Sequence, residues 1–241
     1  MKEIVRWIFR KTGYEIKRIP KGDRIKATGD LKAIFSFVYK NNVWGGTKGE
    51  FYSGPGSDDK VTQDYVKLIN QFKKDKNIKS IVDLGCGDYR VGQLIEKDGI
   101  IYTGIDIVDS LIDNNNRIFG TSNVSFKCMN AVEGQLPDAD LCLIRQVLQH
   151  LSNSDIMRVL SNCAKYKFVI ISEHIPANPN AIPNLDMNSN WDIRLTQGSG
   201  VYIDKPPFNY HALNLLETNP DHRGLNDSVI RTSLIENHNG S

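Results

Sequence analysis

The chain has 241 residues, of which 40% are hydrophobic and 24% are charged, with a formal net charge of +2. These proportions are ordinary for a soluble globular protein that can bury a sizeable core. No apolar run approaches the roughly 20 residues of a membrane-spanning helix. Arg6 and Arg10 interrupt the short apolar stretch after Met1, so we expect neither a transmembrane helix nor a secretory signal. The four cysteines form no Cys-x-x-Cys pair, which is typical of reduced thiols in a cytoplasmic protein.

Positive charge is concentrated in residues 1–26, which hold nine Lys or Arg and three acids. Within this basic arm, Ile4, Trp7 and Ile8 recur at helical spacing beside a separate stripe of basic side chains. The pattern fits an amphipathic helix on an anionic membrane surface, at the inner face of the membrane, and equally a helix packed on its own domain. We expect no nucleic-acid partner, because no aromatic-and-glycine RNA motif accompanies the arm and the rest of the chain is mildly acidic.

Residues 27–75 predict a helical lid that precedes the main domain. Residues 31–39 have apolar side chains at helical spacing, and the asparagines and glycines that follow end that helix. Two glycine-rich segments come next, NVWGG at residues 42–46 and SGPGS at residues 53–57. Such loops either link elements or approach a ligand closely. Residues 61–75 again show helical periodicity and lead into the first strand.

The most informative segment, residues 81–88, is an apolar run that ends in Asp83 and a Gly-x-Gly turn. A second acid, Asp106, ends the next apolar run 19 positions after Gly87. A strand, a glycine turn, a helix and a second strand ending in an acid suit an adenosine-containing cofactor, since the carboxylate can accept both ribose hydroxyl protons. A generic nucleotide fold and a helix-capping role for Asp106 are the plainer alternatives.

The spacing separates two classes of cofactor. A dinucleotide fingerprint has a third glycine where this chain has Arg90, and Gly92 comes two residues too late. The acids Asp83 and Asp88 flank the loop and would repel a pyrophosphate. They suit a ligand that carries an ammonium and a sulfonium, and S-adenosylmethionine carries both.

Four segments, within about residues 78–175, resemble the motifs of the class I S-adenosylmethionine-dependent methyltransferases in the right order. They are VDLGCGD at residues 82–88, YTGIDI at 102–107, FKCMNA at 126–131 and DLCLIRQVLQHL at 140–151. In the third, Asn130 replaces the more usual Asp.

The chain then alternates strands and helices as a doubly wound sheet does. Strands are predicted near residues 79–84, 100–106, 124–129, 139–145, 167–173, 213–217 and 228–235, and further helices near 90–97, 109–118 and 153–164. The predicted fold is α/β: a Rossmann-like, doubly wound, mostly parallel sheet of seven strands with an antiparallel C-terminal hairpin, plus the N-terminal helical lid. The domain that this forms would span residues 76–241, with a substrate-wall insertion at about 176–210.

The resemblance implies a set of cofactor-binding residues around the carboxyl ends of the strands. These are Asp83, Gly85, Cys86, Gly87, Arg90, Asp106, Ile107, Asn130, Ala131, Arg145 and Gln146. Methyl transfer to a hydroxyl also needs a base within hydrogen-bond reach. The candidates for the base are His174, His150 and Asp192.

Side chains near the predicted wall could hold polyhydroxylated or charged groups of a substrate. They are Trp44, Asp186, Trp191 and Arg194. Asp192 and Arg194 could instead form a surface ion pair of little value, and His174 could only stabilise its loop. Asp186 and Asp192 lack the spacing that is diagnostic of a magnesium site, so no metal is assigned.

The lid segments also resemble those of a bacterial subset of these methyltransferases that is associated with polysaccharide biosynthesis. That resemblance implies O-methylation of a saccharide or saccharide-linked group in capsule or lipopolysaccharide assembly, with a saccharide or small-molecule acceptor as partner. The alternatives are a small-metabolite methyltransferase and a module that binds S-adenosylmethionine without chemistry.

Overall fold

A computed structural model describes residues 20–220 and 227–237 of the chain. Its centre is a seven-stranded sheet in the order β3-β2-β1-β4-β5-β7-β6. The strands are β1 (Ser80–Leu84), β2 (Ile101–Asp106), β3 (Val124–Cys128), β4 (Leu141–Arg145), β5 (Phe168–Pro176), β6 (Leu213–Thr218) and β7 (Ser228–Glu236). The first five pair in parallel, and β7 runs antiparallel to both of its neighbours. The predicted fold class and all seven strands are confirmed.

The central strands are apolar because helices cover the sheet on both faces. Four successive residues of β4, from Leu141 to Ile144, are buried. Leu141 packs in one core cluster with Ile69, whereas Ile144 packs in another with Ile156. Successive side chains of a strand point to opposite faces, so this alternation places the two helices that carry Ile69 and Ile156 on opposite sides of the sheet.

Five α-helices lie in the described residues: α1 (Lys21–Lys26), α2 (Leu31–Lys40), α3 (Asp59–Asp75), α4 (Asp109–Phe119) and α5 (Asn153–Asn162). Side-chain caps start two of them as the sequence suggests. Asp30 accepts the Ala33 amide at 3.1 Å, and the Ser152 hydroxyl accepts the Asp155 amide at 3.2 Å. The structure therefore confirms the helices that were predicted from apolar periodicity. They are α2 and α3 of the lid and α4 and α5 of the core.

The prediction of a helix near residues 90–97 is wrong, because the structure has only a 3-10 turn there, Gly92–Leu94. Gly92 is pressed against two tyrosines, and a Cβ on it would lie 2.4 Å from the hydroxyl oxygen of Tyr102. The Lys97 ammonium then binds the carbonyls of Gly92 and Ile95. Those carbonyls are the acceptors that a longer helix would use for its own amides.

The strand order places a switch point beside β1, where the chain crosses from β3 on one side to β4 on the other. Ligands of open α/β sheets bind outside the carboxyl ends of the strands at such a point. Helix α2 lies over this edge of the sheet, because Leu31, Phe35 and Tyr39 line the same cavity as Gly85 at the end of β1.

The amphipathic helix predicted around Trp7 lies outside the described residues and stays a prediction. The described end of the basic arm forms the short helix α1. No helix of residues 20–220 and 227–237 is both long and apolar enough to cross a membrane.

Candidate active site

Two cavities meet at the carboxyl ends of β1 and β4. Gly85, Gln146 and His150 line both of them. The first cavity extends toward the ends of β2 and β3 and is lined by Asp106, Ile107, Asn130 and Ala131. The structure thus brings together seven of the residues that the sequence assigned to cofactor or chemistry.

The floor of the site is a glycine turn that tolerates no side chain. Gly85 and Gly87 have φ values of +69° and +55°, which favour glycine. A Cβ on Gly85 would lie 2.3 Å from Val147, and one on Gly87 would lie 2.3 Å from the Ser53 hydroxyl. The turn is therefore a cradle that glycine alone leaves open.

Asp106 ends β2 with both carboxylate oxygens oriented by the backbone. One oxygen accepts the Gly87 amide at 3.3 Å, and the other accepts the Val108 amide at 3.1 Å. Burial raises the pKa of Asp106 to about 6, although these amide bonds oppose the rise. Each carboxylate oxygen has a further lone pair, so the group can also accept ribose hydroxyl protons.

The second cavity is polar and contains a buried cation beside an acid. The Arg145 guanidinium lies 5.3 Å from the centre of the Tyr65 ring, and its Nε and Nη2 have no hydrogen-bond partner among the described residues. The Gln149 carbonyl oxygen and the Gln146 amide nitrogen are likewise unpartnered there. Burial lowers the pKa of Arg145. Buried polar groups normally have partners, so these atoms fit a ligand that supplies them.

Asp83 forms another wall of this second cavity. The Tyr102 hydroxyl donates to its carboxylate at 2.5 Å, and burial raises the pKa of Asp83 to about 6. A cation and a carboxylate in one cavity suit a zwitterion, such as the amino-acid end of S-adenosylmethionine. The donor set therefore fits that cofactor.

The lid is attached to the glycine turn through Ser53. The Ser53 amide donates to Asp88 at 3.1 Å, the Asp88 amide donates back to the Ser53 hydroxyl at 2.9 Å, and that hydroxyl lies 3.0 Å from the Tyr39 hydroxyl. Gly56 lies so close to Gln146 that a Cβ would be 1.8 Å from its amide oxygen. The glycine-rich lid loop thus approaches the site closely rather than only linking elements.

His150 lies at the junction of the two cavities and is buried under the lid. Its ring centre is 5.2 Å from Trp44 and 6.1 Å from Phe35. Its Nδ1 is 3.0 Å from the Asp192 carbonyl oxygen, and a carbonyl can only accept, so Nδ1 carries the proton and Nε2 the lone pair. Burial lowers the pKa of His150 to about 4. The ring is therefore neutral and oriented.

The predicted wall reaches His150 through its backbone. The Asp192 carboxylate forms an ion pair with Lys26, which leaves the carbonyl of the same residue to orient His150. Trp191 stacks on Phe37 at 5.5 Å, and Lys26 lies 4.4 Å from the Trp191 ring centre. Residues predicted to touch substrate thus join the wall to the lid.

Arg194 and Asp186 have partners within the wall and the core. The Arg194 side chain is buried, and its guanidinium donates to the carbonyls of Leu151 and Leu185. The alternative of a surface ion pair between Asp192 and Arg194 is therefore wrong. Asp186 accepts the amide of Asn153 at 2.7 Å, where α5 begins. Within the described ranges, no three His, Cys, Asp or Glu side chains gather as metal ligands.

Half of the predicted site residues are not among those that line the two cavities: Trp44, Cys86, Gly87, Arg90, His174, Asp186, Trp191, Asp192 and Arg194. His174 is buried in β5, opposite Ile230 of β7. Arg90 forms ion pairs with Glu50 at 3.2 Å and Asp88 at 3.5 Å. Cys86 stays in the turn itself, where burial raises the pKa of its thiol.

Sequence reasoning missed Glu173, Tyr65 and Gln149. Tyr65 falls on the apolar face of α3, where periodicity alone marks it as core. Glu173 could have been noticed in the sequence, because it is an acid within a strand. The strand residues that precede it are apolar or neutral. An ionisable group in such a run has to find partners inside the fold.

Together, the sheet order, the glycine turn and the acid at the end of β2 define a Rossmann-like protein that binds an adenosine cofactor with an amino-acid end. Residues 81–166 match a family model described as a methyltransferase domain. The chain therefore carries a class I S-adenosylmethionine-dependent methyltransferase domain, with S-adenosylmethionine as its cofactor.

Known proteins share this domain over part of their length. Ubiquinone biosynthesis O-methyltransferase of Coxiella burnetii (strain Dugway 5J108-111) is 32% identical over 91 residues, which is 36% of this chain. The chain spans only 38% of that relative's length.

Solved structures agree on the fold. N-methyltransferase NodS from Bradyrhizobium japonicum WM9, in complex with S-adenosyl-L-homocysteine, has a TM-score of 0.55 at 11% identity, over 75% of this chain and 89% of NodS. Magnesium protoporphyrin IX methyltransferase (ChlM) from Synechocystis PCC 6803 has a TM-score of 0.51 at 15% identity, over 86% of this chain and 100% of ChlM.

Proposed function

We propose that the protein transfers the methyl group of S-adenosylmethionine to a hydroxyl of an acceptor that binds beside His150. The observation that carries this proposal is the neutral, oriented imidazole at the junction of the two cavities. A hydroxyl acceptor requires a base at that position, whereas a more acidic acceptor does not.

The cofactor, when bound, supplies a methyl group that is already activated by the sulfonium. Its adenosine part would be held by Asp106 at the ribose, with Ile107, Asn130 and Ala131 beside the adenine, all of them in the first cavity. In the second cavity, Arg145 would bind the carboxylate of the amino-acid end and Asp83 would balance its ammonium. The two cavities meet at Gly85, where the two ends of such a ligand would join.

The residues of the chain then have three tasks: to align the acceptor, to exclude water and to take a proton. Alignment and removal of water provide most of the rate enhancement in a displacement at an activated carbon. Phe35 and Trp44 of the lid cover His150 and keep water from its ring. Nε2 of His150 accepts the hydroxyl proton, while the Asp192 carbonyl stabilises the resulting imidazolium through Nδ1.

The acceptor that we propose is a saccharide or a saccharide-linked group in surface polysaccharide assembly. This choice rests on the resemblance of the lid segments at residues 42–46 and 53–57 to those of methyltransferases associated with polysaccharide biosynthesis. Those same segments pack on the site, through Trp44 on His150 and Gly56 on Gln146. A reaction on such an acceptor would take place in the cytoplasm, at the inner face of the membrane.

A phenolic small metabolite is the second candidate. It is favoured by the aromatic surroundings of His150, where Phe35 and Trp44 would flank a flat ring. The curated relative, which is 32% identical over 91 residues, is named as an O-methyltransferase of ubiquinone biosynthesis.

The test is an acceptor panel with wild-type protein. Calorimetry first measures the affinity for S-adenosylmethionine, and release of S-adenosylhomocysteine is then followed with nucleotide-linked saccharides, oligosaccharides and catechols. Turnover on the saccharides supports the first candidate, and turnover on the catechols alone supports the second. Tight cofactor binding without turnover on any acceptor would leave a binding module and overturn the proposal.

A further inference from the structure

A buried carboxylate on β5 lies beneath the loop that carries His150. Glu173 is 2% exposed, and β5 places it next to Ser172, which is in register with Arg145 at the end of β4. The chain leaves β4 through Gln146, whose φ is +56° and whose amide donates to the Ser172 carbonyl at 2.8 Å. Glu173 is therefore the first side chain of β5 beyond the last paired residue of β4.

Three consecutive amides of that loop donate to the Glu173 carboxylate. The Val147 and Leu148 amides reach Oε1 at 3.0 and 2.8 Å, and the Gln149 amide reaches Oε2 at 3.2 Å. These amides begin the 3-10 turn Leu148–His150, so they have no earlier acceptor within that turn. One carboxylate thus fixes the backbone from residue 147 to residue 149.

The residues that this backbone presents are those of the site. Gln146 and His150 line both cavities and Gln149 lines the second, while Glu173 lines neither. We infer that Glu173 is a positioning residue of the methyltransferase, whose ionised carboxylate holds the loop so that His150 meets the acceptor. The inference rests on the proposed function for the role of His150, but the geometry of the loop does not depend on it.

Charged groups surround Glu173 from each packed element. Arg145 of β4 and Arg194 of the wall attract its carboxylate. Arg231 stands opposite Glu173 in the register of β7 and is paired with Glu217 at 2.7 Å. His150 is the titratable group on the loop itself and is kept neutral by burial, and the neighbour His174 alternates to the other face of the strand.

Burial raises the pKa of Glu173 to about 7, and the three amides and Arg145 oppose part of that rise. Protonation replaces one acceptor oxygen by an O–H donor, which faces an amide donor of the loop. The loop is therefore held most firmly above that pKa and loosens as the pH falls through it.

The test compares Glu173→Gln with Thr232→Ala. The amide of Gln keeps one acceptor oxygen but presents an NH2 group to a backbone N–H, at every pH. Thr232→Ala is the control. Thr232 is a buried residue of β7, and its hydroxyl bonds to Ser172 at 2.8 Å without reaching the loop. This variant therefore also loses a buried hydrogen bond but leaves the loop contacts in place. We measure kcat, the KM for acceptor, the Kd for S-adenosylmethionine and the melting temperature across the neutral range.

We expect wild-type kcat to rise with pH through about 7. Glu173→Gln should lose that dependence together with about 100-fold in kcat, the cost of a misplacement of about 1 Å. Its Kd for S-adenosylmethionine should change much less, while Thr232→Ala should keep kcat at a lowered melting temperature. A Glu173→Gln variant with wild-type kcat and an unchanged pH profile would overturn the inference.

A second measurement tests the inference even if Glu173→Gln does not fold or no acceptor is found. In wild-type protein, the NMR shifts of the Val147, Leu148 and Gln149 amides should titrate together, with a midpoint near 7. Independent titration, or none, contradicts the inference. Absence of turnover with concerted titration contradicts only the proposed function.

Discussion

Acidification should weaken the binding of S-adenosylmethionine, because the site faces this cation with two carboxyl groups whose pKa values are raised. Burial raises the pKa of Asp83 and of Asp106 to about 6. Both groups line the cavities that fit the cofactor, and both favour a cationic or hydroxyl-bearing ligand only when ionised. Binding should therefore pull protons off both.

The magnitude follows from the two pKa values. A carboxyl with a pKa of about 6 is about nine-tenths ionised at pH 7 and about one-tenth ionised at pH 5. If the ligand requires one ionised carboxylate, its affinity falls about tenfold over this interval, and if it requires both, about 100-fold. At a pH of about 6, binding should release about half a proton per carboxyl.

The assay is isothermal titration calorimetry in buffers that differ in ionisation enthalpy, which counts the protons released. Asp83→Asn and Asp106→Asn should each remove part of the pH dependence. Neutral 5′-methylthioadenosine, which lacks the charged end, should depend on pH through Asp106 alone. An affinity for S-adenosylmethionine that is flat between about pH 5 and about pH 7, with no proton release, would refute the electrostatic account of the site.

The free energy of unfolding of the ligand-free protein should fall as the pH rises, whereas cofactor affinity should rise. The folded pKa values of Asp83 and Asp106 lie above the ordinary 3.8, so the folded state binds protons more tightly than the unfolded state. These carboxyls therefore lower the free energy of unfolding as the pH rises from about 4 to about 6, by up to about 3 kcal/mol each. Saturating S-adenosylmethionine should reduce this loss, since it pairs with the ionised forms.

Three further substitutions and one control variant test the site. Asp106→Ala should weaken cofactor binding by about 1–3 kcal/mol in calorimetry, through lost bonds to the ribose, and unchanged affinity contradicts that assignment. His150→Ala should lower kcat by about 100-fold or more at unchanged cofactor affinity. The matched control His174→Ala removes an imidazole that lines neither cavity, so it should lower the melting temperature without that loss of kcat. Gly56→Ala would place a Cβ 1.8 Å from the Gln146 amide oxygen, so the Gln146 side chain or the lid loop has to move and cofactor affinity should fall, and wild-type affinity would show that this contact does not contribute to cofactor binding.

The strands and the glycine turn could be predicted because their causes are local. A central parallel strand is covered on both faces, so β4 reads as a continuous apolar run in the sequence itself. The positive φ of Gly85 and Gly87 likewise leaves a direct trace in residue type. The start of helix α5 could be predicted from Ser152, whose hydroxyl caps the amide of Asp155.

What could not be predicted depends on contacts between distant residues. The direction of His174 is set by the register of β5 with β7, and a shift of one residue would have turned it to the other face. The partners of Arg194 are the carbonyls of Leu151 and Leu185, and no side-chain pattern encodes a backbone acceptor. The missing helix after the glycine turn has the same origin, because the tertiary contact of Gly92 with Tyr102 overrides local propensity.

Helix α1 and the core meet at one residue of the wall. Asp192 binds Lys26 of α1 through its carboxylate and His150 of the core through its carbonyl. The imidazole that would take the acceptor's proton is therefore oriented by a residue that is itself paired with α1. Trp44 links the lid to the wall as well, since its ring lies against that of His150 while its indole N–H donates to the Trp191 carbonyl at 3.4 Å. A movement of Trp44 away from His150 would break the bond that joins the lid to the wall, so the position of the lid and the surroundings of the base are coupled in this fold.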